Sequence, residues 1–251
     1  MALAHELLGN GDAKVIAVND FAQDTSSYDP IRPYLDLETF SFAFLDLRGY
    51  GRSKDIGGNF DSAEASGDIL ELADALGWDR FSLIGHSMSG MVVQRVMAMA
   101  PDRLDKVVAT TPVPACGMGL GPDIVGFIQN MATDDDSFRM GISAGVGGRY
   151  GPDWAEFKLA ANRRTVDPEA MKAYVSMWGC EDFSPDVQGL ETPLLVVYGD
   201  FDGDGLNRAS TYERFAGWYP NLKAVDCPCG HYPMQEVPAL YAHQVQDFLR
   251  S

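Results

Sequence analysis

The sequence predicts an α/β fold, a mostly parallel, doubly wound sheet interrupted by a helical insertion. Three observations predict it. Short β-branched and aromatic runs alternate with helix-period runs from residue 14 to residue 111 and again from residue 192 onward, the βαβ rhythm of a parallel sheet with helices on both faces. One run, Phe81-Ser82-Leu83-Ile84-Gly85, passes through His86-Ser87-Met88-Ser89-Gly90 into helix-compatible Met91-Val92-Val93-Gln94-Arg95-Val96-Met97. Ser87 therefore falls on a strand-to-helix turn, where a nucleophile can be held. The alternation stops at Pro112, and from there to about residue 190 the patterns are helical, the loops glycine-rich and no strand is convincing. The expected division is core sheet, first part (1–112), helical cap insertion (113–190) and core sheet, second part (191–251).

Residues 2–8 are expected to form a short first strand, with Gly9-Asn10-Gly11-Asp12 as a hairpin-type turn into the buried strand Lys14-Val15-Ile16-Ala17-Val18. The polar loop 19–27 leads to a helix starting near Pro30, capped by Asp29 with proline in its first turn. Phe40-Ser41-Phe42-Ala43-Phe44-Leu45 is the next strand. Two glycines in Asp46-Leu47-Arg48-Gly49-Tyr50-Gly51-Arg52-Ser53 then allow a tight loop braced by an Asp46–Arg48 pair. In residues 61–76, Ile69, Leu70, Leu72, Ala73 and Leu76 recur at helical spacing, and Gly77 ends the helix. After the helix that follows Ser87, a connector at Pro101 leads to the strand Lys106-Val107-Val108-Ala109-Thr110-Thr111. Helical patterns in the insertion cover 124–131, 137–140, 154–161 and 168–177, with Asp134-Asp135-Asp136 as a solvated helix start and Arg163-Arg164 as a solvated face. The strand Thr192-Pro193-Leu194-Leu195-Val196-Val197-Tyr198 runs into the acidic loop Gly199-Asp200-Phe201-Asp202-Gly203-Asp204-Gly205. A helix over 208–218, a strand over 222–226, a loop to residue 233 and a last helix over 238–249 follow.

Bulk properties narrow the function. A chain of 251 residues can bury a substantial core as one large domain or as a core with an insertion. With 19 Lys+Arg against 36 Asp+Glu, the net charge of −17 repels nucleic acid and anionic lipid, and its simplest role is solubility. No apolar run approaches the ~20 residues of a membrane span, and Met1-Ala2-Leu3-Ala4-His5-Glu6 lacks a basic leader region. A cytoplasmic protein with a small-molecule substrate and no membrane or nucleic-acid partner is expected, its oligomeric state open and a homodimer among the options. The four cysteines are sparse for a secreted scaffold. Cys227-Pro228-Cys229 near His231 lacks a second ligand cluster, so free thiols and no metal are expected.

The turn at Ser87 needs small residues two positions to either side. Gly85 fits, while Ser89 stands where glycine would be best and is expected to cost some fit. A serine hydroxyl becomes a nucleophile when an oriented base takes its proton. Of four histidines, His86 adjoins Ser87 and cannot easily turn back onto it, His5 lies in the first strand and His243 in the last helix. His231, after the last strand, emerges at the edge where parallel-sheet sites form and is the best base. The acid belongs at the end of an intervening strand, where Asp200, Asp202 and Asp204 are the candidates. The order Ser…Asp…His matches that of α/β-hydrolases.

On these residues the chain resembles the α/β-hydrolase superfamily, in the single-domain branch of esterases, lactonases and cofactor-free haloperoxidase-like enzymes. The resemblance covers nearly the whole chain, and four ordered stretches carry it: residues 46–53, Gly85-His86-Ser87-Met88, residues 193–202 and residues 230–238. It implies an α/β-hydrolase sheet, no cofactor and a triad of Ser87, Asp202 and His231, the last residue of the family's G-x-x-D element selecting Asp202. It also implies an oxyanion hole from the amides of Phe21 and Met88. The implied activity is hydrolysis of a small hydrophobic ester or lactone through an acyl-enzyme. Alternatives within the superfamily are a cofactor-free oxygenase using His231 and Asp202 as base, and a ligand receptor that retains the triad. Serine at the elbow argues against epoxide hydrolases and haloalkane dehalogenases, which use aspartate there. Two departures stand out. Asn19-Asp20 replaces the usual His-Gly, so Asp20 is expected either to turn outward to solvent or to bind substrate, and Gly205-Leu206 stands where a proline is common. Phe127, Met131, Met140, Trp154, Met177 and Trp178 are candidates to line an apolar pocket, with Trp154 and Trp178 the expected substrate contacts.

Overall fold

Seven short runs rich in β-branched and aromatic residues pair into one sheet in the computed structural model, which describes residues 3–251. The strands are β1 (His5–Leu8), β2 (Ala13–Val18), β3 (Phe40–Leu45), β4 (Phe81–His86), β5 (Leu104–Thr110), β6 (Leu194–Gly199) and β7 (Leu222–Cys227). Their order is β1-β3-β2-β4-β5-β6-β7, with only β1 antiparallel. Every residue of β3, β4 and β6 is buried, as near-continuous hydrophobic strands covered on both faces must be. The helices are α1 (Ser62–Ala75), α2 (Met88–Met99), α3 (Pro122–Asn130), α4 (Asp135–Gly145), α5 (Pro152–Thr165), α6 (Pro168–Cys180), α7 (Arg208–Trp218), α8 (Pro233–Glu236) and α9 (Pro238–Arg250). Helix α1 packs on α2, α3 on α6, and α4 on α5. Helices α3 to α6 fill the stretch between β5 and β6, where Val166 makes only an isolated bridge with Tyr50. Among the described residues, no helix is long and apolar enough to cross a membrane.

Three local expectations fail for identifiable reasons. Residues 9–12 do not close a hairpin, because β1 and β2 lie on opposite sides of β3. Their glycines serve close passage instead: a Cβ on Gly11 would lie 2.0 Å from the carbonyl carbon of Thr39. The first strand begins at His5, and the expected strand residue Ala2 lies outside the described residues. The helix placed near Pro30 is a 3-10 helix, Thr25–Tyr34, capped by Asp24 and not by Asp29. Pro30 and Pro33 lack the N–H that an α-helix needs at these positions.

The third failure is the Asp46–Arg48 brace. Asp46 accepts from Thr25 N, Thr25 Oγ1 and Arg52 N. Arg48 instead grips Asp68 on α1 with two bonds of 2.7 and 2.8 Å. Asp68 is only 4% exposed, so removing its partner strands a buried carboxylate. Arg48→Ala is expected to lower the unfolding free energy by about 3 kcal/mol, read from urea denaturation. A change below about 0.5 kcal/mol would show that the pair behaves as a surface pair.

Candidate active site

All four loops that matter leave the carboxyl ends of parallel strands: residues 19–23 after β2, Ser87 after β4, Asp200 to Asp202 after β6, and 228–231 after β7. A parallel sheet gathers its site there because every crossover returns to the same edge.

Between β4 and α2 the chain turns so sharply that Ser87 takes φ 56°, ψ −115°, a strained conformation for a residue with a side chain. The turn is held by its neighbours. Ser87 N donates to Thr110 O, and Ser87 O accepts from the amides of Gly90 and Val113. A Cβ on Gly85 would stand 2.3 Å from Ser89 O, and one on Gly90 would stand 2.6 Å from the Cβ of Pro112. The backbone thus has room only for glycine at these two places. Ser89, expected to cost fit, adds a tie: its Oγ accepts from His86 N at 2.8 Å and lies 3.2 Å from Val18 O. It joins the ends of β2 and β4.

The loops after β6 and β7 are laced together. Asp200 N donates to Cys227 O and Phe201 N to Cys229 O. His231 N donates to Gly145 O at the end of α4, while Glu236 accepts from the flanking amides of Gly230 and Tyr232. His231 Nδ1 donates to Asp202 Oδ2 at 2.8 Å, and His231 Nε2 stands 2.8 Å from Ser87 Oγ. With Nδ1–H committed to the carboxylate, Nε2 is the ring's acceptor and faces the serine hydroxyl. Asp202 and His231 are each 8% exposed. Burial pulls the His231 pKa down, but the charge and hydrogen bond of Asp202 outweigh it, so the net direction is up from 6.5.

Met88 is the first residue of α2, so its N–H has no carbonyl partner within the helix. Among the described residues, no protein acceptor takes the amide of Phe21 or of Met88. Phe21, Ser87, Asp202 and His231 all border one cavity of about 290 Å³. Its other walls are chiefly apolar, from Phe127, Ile128, Met131, Trp178 and Leu206 among others.

The candidates for that wall divide. Phe127, Met131 and Trp178 line it. Met140 is 63% exposed, and Met177 is buried away from the cavity. Trp154 does not reach it either, because its ring packs edge-on against Tyr232, 5.7 Å away, and Tyr232 forms the wall. Asp20 borders the cavity but does not turn to solvent: it is 1% exposed. Burial alone would raise its pKa, but the Lys158 charge and the hydrogen bonds of His86 and Ala22 hold it at about 2. Arg163, expected on a solvated face, pairs with Asp135 and donates to Met131 O. Sequence reading passed over Glu236 and Lys158, since a carboxylate that caps amides and a lysine that is buried carry no local pattern. The four cysteines are free thiols.

A family model described as alpha/beta hydrolase fold matches residues 21–236. A pimeloyl acyl-carrier-protein methyl ester esterase of Pectobacterium carotovorum subsp. carotovorum (strain PC1) is 30% identical over 84% of this chain and 85% of its own. A fluoroacetate dehalogenase of Burkholderia sp is 25% identical over 97% of this chain and 89% of its own. Among solved structures, an enol-lactonase from Burkholderia xenovorans LB400 aligns with a TM-score of 0.84 at 21% identity, covering 99% of this chain and 96% of that one.

Proposed function

The chain belongs to the alpha/beta hydrolase fold family, and from that premise we propose that it is a serine hydrolase acting on a small hydrophobic ester or lactone through an acyl-enzyme. The observation that carries this reading is the hydrogen-bonded chain Asp202–His231–Ser87, with both links at 2.8 Å. His231 Nε2 takes the proton of Ser87 Oγ as the oxygen attacks the carbonyl carbon. The amides of Phe21 and Met88 receive the oxyanion, and Asp202 stabilises the imidazolium. Collapse breaks the bond to the leaving alkoxide, which takes the proton from His231. Water, deprotonated by the same nitrogen, then releases the acid and restores Ser87.

The apolar walls and modest volume support a small uncharged acyl group. The methyl ester esterase among the relatives supports ester cleavage. The name of the dehalogenase fits less well, because serine and not aspartate stands at the elbow. On short p-nitrophenyl esters, a charged group at the acyl terminus is expected to lower kcat/KM about 10-fold or more. Equal rates for charged and neutral acyl groups would contradict an apolar acyl site.

Neutral imidazole is required for proton abstraction, so activity is low below the His231 pKa and reaches a plateau above it. Because Asp202 raises that pKa, the acid limb of kcat/KM is expected to have its midpoint above 6.5. A flat profile from about pH 5 to about pH 8 would remove His231 as the base.

A further inference from the structure

A second buried Asp–His pair stands behind the first, and the steps above make no use of it. Asp20 and His86 are 1% and 0% exposed. His86 Nε2 lies 2.6 Å from the backbone carbonyl oxygen of His231, and its Nδ1 lies 3.2 Å from Asp20 Oδ2. A carbonyl oxygen only accepts, so Nε2 carries a hydrogen. The His86 Nδ1 faces a carboxylate oxygen that only accepts when ionised. The ring thus bridges the Asp20 carboxylate and the His231 backbone, while burial draws the His86 pKa down against the pull of Asp20.

The other carboxylate oxygen of Asp20 accepts from the amides of Ala22 and Gln23 at 2.5 and 3.0 Å. This grip folds the loop after β2 and leaves out the one amide between, that of Phe21. Asn19 fixes the same loop by donating to Asp20 O and accepting from Leu47 N, each at 2.8 Å. Lys158 of α5, itself fully buried, donates to Gln23 Oε1 at 2.9 Å and Gln235 Oε1 at 3.1 Å. Its ammonium supplies positive charge near Asp20. The carbonyl of His231 takes a second donor, Thr111 Oγ1, at 3.0 Å.

Resting on the reading of Ser87 and His231 as nucleophile and base, we infer that Asp20 and His86 are positioning residues. One carboxylate sets the oxyanion loop and, through the His86 ring, the backbone of the base. The donor for the oxyanion and the nitrogen that takes the proton are thereby held in one frame. This also accounts for a carboxylate beside a site that develops negative charge, since it is matched by two amides, the His86 ring and Lys158.

The test compares wild-type protein with Asp20→Ala and Asp20→Asn, by fluorophosphonate labelling of Ser87 and by steady-state hydrolysis of a short p-nitrophenyl ester. In Asp20→Ala the labelling rate and kcat are expected to fall about 10²-fold, while KM stays within about two-fold. Asp20→Asn is expected to recover most of that loss. Its amide oxygen still accepts from Ala22 and Gln23, and its NH₂ can donate to Nδ1 of a neutral His86. Labelling of Asp20→Ala as fast as wild type would overturn the inference. So would a rise in KM in both variants, which would make Asp20 a substrate contact. Wild-type protein never labelled at Ser87 would remove the hydrolase reading itself, and the inference with it. If Asp20→Ala does not fold, ¹⁵N NMR of the intact wild type decides: an Nδ1 of His86 hydrogen-bonded to Asp20 supports the link, and one without that bond overturns it.

Discussion

Replacing Ser87 with alanine is expected to lower kcat on a short p-nitrophenyl ester by ~10³-fold or more. The protein should stay folded, because the substitution removes only an Oγ whose hydrogen bond is to His231. The strained turn is held by main-chain bonds from Thr110, Gly90 and Val113 and by the space around Gly85, all of which alanine leaves in place. Stability should change by less than about 1 kcal/mol, the scale of one net hydrogen bond. KM should change little, since the cavity walls are untouched. A variant that kept most of its turnover would reject the nucleophile. If that turnover also consumed oxygen, the base-only chemistry of a cofactor-free oxygenase would take its place.

The second large effect is expected at Asp202. Asp202→Asn keeps the shape but replaces an acceptor with a group that can donate to Nδ1, which turns the imidazole to the wrong tautomer. A loss of ~10³- to 10⁴-fold in kcat is expected. The same change removes the charge that raises the His231 pKa and leaves the opposing effect of burial. Whatever activity remains should therefore lose its acid limb toward lower pH, with the midpoint below that of the wild type. A pH–rate profile of the variant checks this, and an unshifted limb would show that Asp202 does not set the protonation of the base.

Much of the frame is legible in the sequence. The strand Phe40–Leu45 and the helix Arg208–Trp218 lie where the residues predict them, the strand because a fully buried run leaves a strong local pattern. The strand-to-helix turn at Ser87 was legible for the same reason: a glycine, a serine and an apolar helix leave few other conformations. Residues 9–12 misled because a glycine turn reports only that the chain bends. Whether β1 and β2 pair with each other or both with β3 depends on a strand that arrives about thirty residues later, and no local rule contains it.

In the site, the sequence supplied residues but not their second partners. His86 could be set aside as the base from its place beside Ser87, yet its link to Asp20, 66 residues earlier, is a product of packing. Asp20 looked like a charge out of place because its compensation comes from Lys158 on a distant helix. The wall residues were harder still. Trp154 and Phe127 are both aromatic residues on helices between β5 and β6, and only the packing of Trp154 on Tyr232 decides that one backs the wall and the other forms it.

In the proposed mechanism His231, oriented by Asp202, activates Ser87. Treating the protein with a fluorophosphonate at neutral pH and mapping the modified peptide by mass spectrometry tests it most directly. A single stoichiometric adduct on Ser87 is expected, formed far more slowly in Asp202→Asn. No adduct, or one on a different residue, would contradict it.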